Sequence, residues 1–362
     1  MNVMLNGATA GTNFGDFLFA HMFQKRVSSL VGEDNVYWYC GKCAMSDFFE
    51  SHLENHKHAN IKDMGALIYI SGGYFCGNDK TFKDRLFRVL RYFVVGIKAI
   101  KHRIPYAIIG LEVADPKNWW LKKIEKYILK NASLLIVRNR ESMDCLNDYG
   151  ISGAIESVDS AFAIDHSLFE DKAIPSQIQN CAKKILLLHV NPYRSSNVTL
   201  EKKVIPIVNA FLKKHSDYSV LVTADQYSDI QNEILENICD KLECEEKIKY
   251  TYEDPIALCK VINCVDTIVT HKLHVGIVGA RLGKSVISFS GHTEKIQRLY
   301  RQLNEAERSV ALSSLTFEQG VEIMEKYYDK PIHVEQKMIE RAKSNFLNLD
   351  NFLRNIKGDS VL

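Results

Sequence analysis

The sequence lacks long hydrophobic runs, a strong charge of either sign and the usual motifs of nucleic-acid binding. No run approaches the ~18 apolar residues that cross a bilayer, and residues 2–7 resemble a strand rather than a signal peptide. These absences predict a cytoplasmic protein. A formal net charge of +2 over 362 residues gives no electrostatic reason for a nucleic-acid partner, so none is expected.

Metal and nucleotide motifs are also missing. Only Cys40 and Cys43 of the nine cysteines form a C-x-x-C pair, which predicts reduced thiols rather than a zinc site. No D-x-D motif and no histidine cluster at ligand spacing is found, so no metal is expected. Residues 6–11 do not give G-x-G-x-x-G, and a Walker A loop is absent, which disfavours NAD enzymes and P-loop NTPases.

Short apolar strands alternate with amphipathic segments, a pattern typical of parallel sheets built from βαβ units. Predicted strands cover residues 2–5, 36–39, 66–71, 106–109, 134–137, 155–158, 184–189, 218–223, 247–250, 266–269 and 285–289. The predicted fold class is therefore α/β, with two Rossmann-like domains of parallel strands facing a central cleft. The predicted boundaries are 1–165 for the first domain, 166–183 for a linker, 184–330 for the second domain, and 331–362 for a C-terminal helix that crosses back.

Residues 268–295 are the most informative stretch. A predicted strand over 266–269 runs into the polar turn THKLH at 270–274, and a small-residue helix over 275–282 follows. A helix start at a strand's carboxyl end is a common anion site, because free N–H groups and the helix dipole attract negative charge. Lys272 and His274 would add a fixed cation and a proton donor there. The pattern indicates a substrate that carries phosphate or carboxylate and must be protonated.

Seven motifs follow one another in a characteristic order. They are N-x-G-D at 13–16, the glycine pair Gly72 and Gly73, Pro105 with Gly110, an R-x-x-x-S…G helix from Arg138 to Gly150, D-x-A-F at 159–162, K-L-H at 272–274, and Lys295. In this order they resemble the polysaccharide pyruvyl transferase family over about residues 1–310. The difference is Lys272, where the family usually has arginine; lysine holds a phosphate as a point charge but lacks the bidentate fork.

The resemblance implies a GT-B-type fold and transfer of the pyruvate unit of phosphoenolpyruvate onto sugar hydroxyls as a cyclic ketal. Phosphoenolpyruvate would be a co-substrate, with no further cofactor, bound mainly by the second domain. The acceptor would be a hexose-containing precursor of a surface polysaccharide, free or lipid-linked, bound mainly by the first domain.

Donor-side roles fall on basic residues and one histidine. His274 is the candidate general acid, since histidine changes charge near neutral pH, and Lys272 would neutralise phosphate. Arg138 would grip the donor bidentately, or else form an ion pair with Glu141 or Asp144. Lys295 and Arg194 are two further expected contacts to the donor. For Arg194 the alternative is an arginine in a surface loop. His271 is expected to point away from Lys272 and to be structural.

Acceptor-side roles fall on small and acidic residues near the first strands. Asp16 would bind or deprotonate a hydroxyl, or simply occupy the favourable first turn of a helix. The other expected acceptor contacts are Asn13, Gly15, Gly72, Gly73 and Asp159, with an Asx turn as the alternative for Asp159.

Residues 80–103 form a basic amphipathic segment. Eight of these twenty-four residues are Lys or Arg, Asp84 is the one acid, and much of the rest is apolar or aromatic. Such a helix suits the headgroup region of an anionic bilayer, although a helix packed on a sheet shows a similar stripe. The pattern predicts a peripheral location at the inner face of the cell membrane.

Two alternatives remain open at this stage. One is a nucleotide-sugar-dependent GT-B glycosyltransferase, in which Glu253 or Asp254 would contact the ribose. The other is a non-catalytic relative that has lost its chemistry through Lys272.

Overall fold

The computed structural model describes residues 1–39, 45–76, 81–291 and 293–358. Cys40, Cys43 and Lys80 lie outside the described residues. The chain divides into two compact units: unit 1 comprises Met1–Thr12, Asp16–Ala163 and Lys337–Leu362, and unit 2 comprises Asn13–Gly15 and Ile164–Gln336.

Fourteen strands are present among the described residues. They are β1 Val3–Asn6, β2 Val36–Tyr39, β3 His58–Ala59, β4 Ala66–Tyr69, β5 Gly72–Phe75, β6 Tyr106–Val113, β7 Leu134–Val137, β8 Ile155–Glu156, β9 Lys184–His189, β10 Tyr218–Thr223, β11 Lys247–Tyr250, β12 Thr267–Thr270, β13 Ser285–Ser290 and β14 Ser309–Ala311.

Fourteen α-helices accompany the strands in the same part of the chain. They are α1 Phe14–Val31, α2 Asp47–His52, α3 Phe82–Arg88, α4 Val94–Lys101, α5 Trp119–Lys130, α6 Arg140–Asp148, α7 Ser176–Gln179, α8 Arg194–Lys214, α9 Gln231–Asp240, α10 Pro255–Asn263, α11 Leu273–Arg281, α12 Thr293–Gln302, α13 Phe317–Tyr327 and α14 Gln336–Lys357. One π-helical turn, Val89–Phe93, joins α3 to α4. None of the described helices is both long enough and apolar enough to cross a membrane.

The sheet of unit 1 is parallel throughout and has the order β3-β2-β1-β4-β6-β7-β8, with β5 pairing on β6 beyond the end of β4. Its central strand β6 is buried at every position. Gly110 interrupts β6 with φ +65, and a Cβ there would lie 2.4 Å from Ser71 Oγ and 2.7 Å from Ser160 Oγ. The positive φ and the lack of room for a Cβ both require glycine at this position. The register between β6 and β7 shifts beside it.

Unit 1 is completed by the C-terminal helix α14. Arg26 forms an ion pair with Asp350, and the buried Asn345 donates to Val158 O at 3.2 Å and Ser160 Oγ at 2.9 Å.

The sheet of unit 2 is also parallel and has the order β11-β10-β9-β12-β13-β14. Counted along the chain this is 3-2-1-4-5-6, the order of a Rossmann sheet, whose topological switch point lies between β9 and β12. The strands are almost wholly buried because helices cover both faces, as parallel sheets require. The predicted α/β class with two Rossmann-like parallel sheets is confirmed. Residues 166–183, which the sequence predicted as a linker, belong to unit 2 and include α7.

Candidate active site

A buried carboxylate, Asp225, lies at the centre of a polar cluster in unit 2. Asp225 comes just after β10 and is 3 % exposed. Its Oδ1 lies 3.2 Å from His189 Nε2 and 3.4 Å from Lys272 Nζ, and its Oδ2 lies 3.5 Å from Asn13 Nδ2. Burial alone would raise the pKa of Asp225, but Lys272 and His189 outweigh it and hold that pKa well below its usual range.

Two histidines extend the cluster across the switch point. His189 ends β9, and its Nδ1 lies 3.3 Å from Nδ1 of His271, which follows β12. His271 Nε2 lies 2.9 Å from Asn191 Oδ1, and Asn191 Nδ2 donates to Ser196 O, which fixes the amide orientation. Burial and the neighbouring His189 lower the pKa of His271 well below its usual range.

The proton positions follow from these contacts. His271 is neutral and donates from Nε2 to Asn191, so its Nδ1 accepts a hydrogen bond from His189. His189 also faces the carboxylate of Asp225 with its other nitrogen. His189 therefore lies between the carboxylate of Asp225 and the ring of His271.

The start of α1 is held by hydrogen bonds to Asp225. Asn13 is the N-cap of α1, since its Oδ1 accepts the backbone N–H of Gly15 at 3.0 Å. Phe14 N donates to the backbone oxygen of Asp225 at 2.8 Å. The N-x-G-D motif thus begins with a helix cap that depends on residue 225.

Gly15 leaves room for the ring of His274. A Cβ at position 15 would lie 1.7 Å from Nδ1 and 2.3 Å from Cγ of His274, so any side chain there would displace the ring. His274 lies in the first turn of α11, which begins at Leu273, two residues before the predicted start. Lys272 is the N-cap residue of α11, and its backbone N–H donates to Thr270 Oγ1 at 3.0 Å.

This arrangement is chemically suited to an anion. Lys272, His189 and the first turn of α11 all lie at the carboxyl end of the unit 2 sheet, where Rossmann folds bind ligands. Lys272 supplies positive charge there. Three histidines lie in the same place as possible proton donors: the pair His189 and His271, and His274 beside the backbone of Gly15.

Arg138 and Asp159 meet in a buried ionic triad of unit 1. Arg138 Nη1 lies 2.7 Å from Asp159 Oδ2, and Nη2 contacts Glu112. Burial would lower the pKa of the guanidinium, but the two carboxylates raise it. The partners are Glu112 and Asp159 rather than Glu141 or Asp144. Asp159 also accepts the N–H of Ala161 at 3.0 Å, which is an Asx turn.

Asp16, Gly72 and Gly73 lie in unit 1 near two tyrosines. A Cβ on Gly72 would lie 2.7 Å from the ring of Tyr74, and the ring of Tyr74 stacks on that of Tyr92 at 4.5 Å. Burial, followed by the charge of Asp16, raises the pKa of Tyr92 to about 12. Asp16 itself occupies the first turn of α1.

The remaining two candidates lie at helix starts of unit 2. Arg194 begins α8, and its exposed side chain pairs with that of Glu233. Lys295 is partly buried in the first turn of α12. Sequence reasoning missed Asp225, His189 and Asn191. The sequence signal that could have revealed them is a polar residue directly after an apolar strand. His189 and Asn191 stand in this position in LLLHVN at the end of β9, and Asp225 does so in LVTAD at the end of β10.

Similar solved structures identify the type of fold. UDP-GlcNAc 2-epimerase from Neisseria meningitidis, solved with UDP-GlcNAc, matches with a TM-score of 0.66 and 12% identity over 98% of this chain and 100% of that one. S. aureus MnaA, solved with UDP, gives 0.63 and 12% over 99% and 98%. MurG from Acinetobacter baumannii gives 0.56 and 10% over 98% and 99%. At these identities the likeness shows the fold alone, which is of the GT-B type.

The family is given by the sequence itself. The model of the family described as polysaccharide pyruvyl transferase matches residues 13–293, from the N-x-G-D motif to the start of α12. No curated protein matches the sequence. The chain belongs to the polysaccharide pyruvyl transferase family, as its motifs indicated, and this membership supports a transferase of polysaccharide biosynthesis.

Proposed function

We propose that this protein transfers the pyruvate unit of phosphoenolpyruvate onto two hydroxyls of a sugar in a surface-polysaccharide precursor, forming a cyclic ketal and releasing phosphate. Family membership supports the transfer, and one observation carries the donor assignment. Lys272 and His189 converge on Asp225 at the switch point of the unit 2 sheet, beside the histidine that Gly15 accommodates.

The reaction needs one proton donor and one proton acceptor. A proton adds to the methylene carbon of phosphoenolpyruvate, which leaves positive charge on the carbon that bears the phosphate. A sugar hydroxyl attacks that carbon and loses its proton to a base. A second hydroxyl displaces phosphate, and its proton leaves with the phosphate. One hydroxyl proton therefore replaces the proton consumed in the first step.

Each donor-side role has a matching residue. Lys272 would hold the phosphate as a point charge, with the N–H groups at the start of α11 as further donors. His274, in that first turn, would protonate the methylene carbon. Asp225 would hold Lys272 and His189 in position. For the acceptor we propose Asp16 as the base, with Asn13, Gly15, Gly72 and Gly73 beside the sugar.

His274→Ala tests the mechanism. We expect it to abolish phosphate release from phosphoenolpyruvate in the presence of the glycan precursor extracted from the producing cells. His166→Ala, an exposed histidine elsewhere in unit 2, is the matched control. Mass spectrometry of the glycan should show a gain of about 70 mass units with the wild type and the control only. Turnover retained by His274→Ala would remove His274 from the mechanism.

The rival nucleotide-sugar reaction has less support in unit 2. Asp254, an expected ribose contact, accepts from Ile256 N and Ala257 N as the N-cap of α10 and pairs with Lys172 at 2.7 Å. Thermal shift distinguishes the two donors, since a ligand at 100 times its Kd stabilises the folded state by about 2.7 kcal/mol. We expect phosphoenolpyruvate, and not UDP-GlcNAc, to raise the melting temperature. The reverse result would favour the glycosyltransferase.

We further propose that unit 1 reaches a lipid-linked acceptor through a peripheral contact with anionic membrane. The contact surface, called the basic aromatic surface, lies on α3 and α4, which the π-helical turn joins end to end, and on α5, which packs against α4 and the turn. Its exposed apolar side chains are Phe82, Leu86, Phe87, Ile97, Trp119 and Tyr127. Its exposed or partly exposed cations are Lys83, Arg85, Lys98, Lys101, Lys123, Lys126 and Lys130.

Exposure of this kind is unusual for a soluble surface. Phe82 is 65% and Trp119 69% exposed, and lysines lie over two of the rings, Lys83 at 5.6 Å from Phe87 and Lys123 at 5.0 Å from Trp119. Aromatic rings with neighbouring cations suit the headgroup region, and each cation near an anionic surface contributes about 1 kcal/mol.

Vesicle sedimentation tests the contact. We expect binding to phosphatidylcholine vesicles that contain phosphatidylserine, weaker binding without it, and loss at high salt. Phe82→Ser with Trp119→Ser should weaken binding, while Lys202→Glu with Lys213→Glu, on exposed positions of α8, should not. Equal binding by both double variants, or no binding by the wild type, would refute the proposal.

A further inference from the structure

Unit 1 contains a second cluster of polar side chains, away from the residues discussed above. One ligand atom from each of Glu50, His56 and His58 lies within 4.8 Å of the other two. Glu50 lies on α2 and His58 opens the edge strand β3, while His56 lies in the loop that joins them. Three elements of local structure thus bring two imidazoles and a carboxylate together.

Backbone carbonyls orient both rings. His56 Nδ1 lies 3.0 Å from Leu53 O, and His58 Nδ1 lies 3.4 Å from Trp38 O. A carbonyl oxygen only accepts, so each Nδ1 carries a proton, and Nε2 is the nitrogen that remains to bind a metal ion. Metal-binding histidines are held in the same way, with the second nitrogen donating to a carbonyl or carboxylate.

The distances suit a tetrahedral metal. His58 Nε2 lies 3.5 Å from Glu50 Oε1. Two ligands about 2.1 Å from a tetrahedral zinc ion are about 3.4 Å apart, so this pair needs almost no movement. The side chains of His58 and Glu50 are 28% and 40% exposed, which leaves access for the ion and for a water molecule as fourth ligand.

We propose that Glu50, His56 and His58 bind a divalent transition metal ion of the zinc type, with water completing the coordination. Two imidazoles and one carboxylate favour zinc over magnesium or calcium, which prefer oxygen ligands. Sequence reasoning expected no metal although His56 and His58 form an H-x-H pair, because Glu50 precedes His56 by six residues and lies on a separate helix. The ion would join α2 to the edge strand, and it takes no part in the proposed transfer of pyruvate.

Zinc titration of the purified full-length protein tests the site. The expected result is one equivalent of Zn²⁺ bound in competition with a chromophoric chelator, a higher melting temperature with Zn²⁺, and no effect of Mg²⁺. Glu50→Gln and His58→Ala should each weaken binding by about 100-fold or more, beyond the loss of an orienting partner alone. His166→Ala should bind as the wild type does.

The variants also show whether folding is affected. Without metal, Glu50→Gln and the wild type should melt at similar temperatures, and only the wild type should rise with Zn²⁺. Cobalt should give the visible absorption of a four-coordinate ion in the wild type and not in His58→Ala. Equal zinc binding by wild type and both variants, or no saturable binding by the wild type, would overturn the assignment.

Discussion

Gly15→Ala is the sharpest test of the candidate site. The added Cβ would lie 1.7 Å from His274 Nδ1, whereas ordinary contacts begin at 3.4 Å, so the ring must withdraw by about 1.7 Å. A misplacement of about 1 Å at a catalytic group costs about 100-fold in rate. We therefore expect at least that loss in phosphoenolpyruvate-dependent phosphate release.

The effect on stability is the sum of two opposing contributions. Displacing the ring of His274, whose Cγ would lie 2.3 Å from the new Cβ, costs about 1–3 kcal/mol, and alanine in place of glycine in α1 offsets up to about 1 kcal/mol of that cost. Urea unfolding of Gly15→Ala should therefore show a free energy no more than about 3 kcal/mol below the wild-type value. Loss of turnover in a protein that is still folded would locate the defect in the ring of His274.

A double-mutant cycle supplies the control. In a His274→Ala background the ring is gone, so the methyl group at position 15 should no longer lower the free energy of unfolding. Wild-type turnover in Gly15→Ala, or the same loss of stability from the methyl group in both backgrounds, would refute the reasoning.

Three other substitutions probe the charges. Asp225→Asn should lower the free energy of unfolding by about 3 kcal/mol at pH 7, since a buried pair loses its carboxylate. Because the pKa of Asp225 is lowered on folding, its contribution to stability is complete above the pKa of the unfolded state, about 3.9, and is lost as the pH falls towards the pKa of the folded state. In urea unfolding, the difference in free energy between wild type and Asp225→Asn should therefore be smaller at pH 3 than at pH 7. Lys272→Met should raise half-saturation for phosphoenolpyruvate about tenfold or more, the value of a lost charge-assisted hydrogen bond, while Lys272→Arg should change it little; equal values in both would contradict a phosphate contact. Arg138→Met leaves Glu112 and Asp159 buried without their cation. Unfolding in guanidinium chloride should therefore show a free energy of unfolding lower by about 3–5 kcal/mol, with the half-saturating concentration of phosphoenolpyruvate unchanged. A raised half-saturating concentration would indicate that Arg138 contacts the donor.

The strands were predictable because a parallel sheet buries both faces and leaves continuous apolar runs. The prediction at 184–189 agrees with β9, and that at 266–269 differs from β12 by one residue at each end. The two-residue β3 was missed because it is too short to carry a pattern. The helix expected within residues 80–103 is divided by a π-helical turn, which periodicity does not reveal.

The site was predictable only in part. Lys272 and His274 could be recognised because both lie beside one strand end, a local feature. Their neighbours could not, because the contact between Lys272 and Asp225 depends on the order of strands in the sheet. Gly15 was identified as a close approach of backbone, but its actual neighbour, His274, is distant in sequence. Arg138 was expected to face a ligand, and two carboxylates surround it instead.

The return of α14 to unit 1 has a consequence for biosynthesis. Asp350 pairs with Arg26 across 324 positions of chain, and Asn345 holds the backbone at Val158. While the ribosome is still making unit 2, the earlier-made portion of unit 1 is waiting for its last helix. A fragment that stops at residue 163 should therefore need a chaperone, or α14 added as a separate peptide, to reach its mature state.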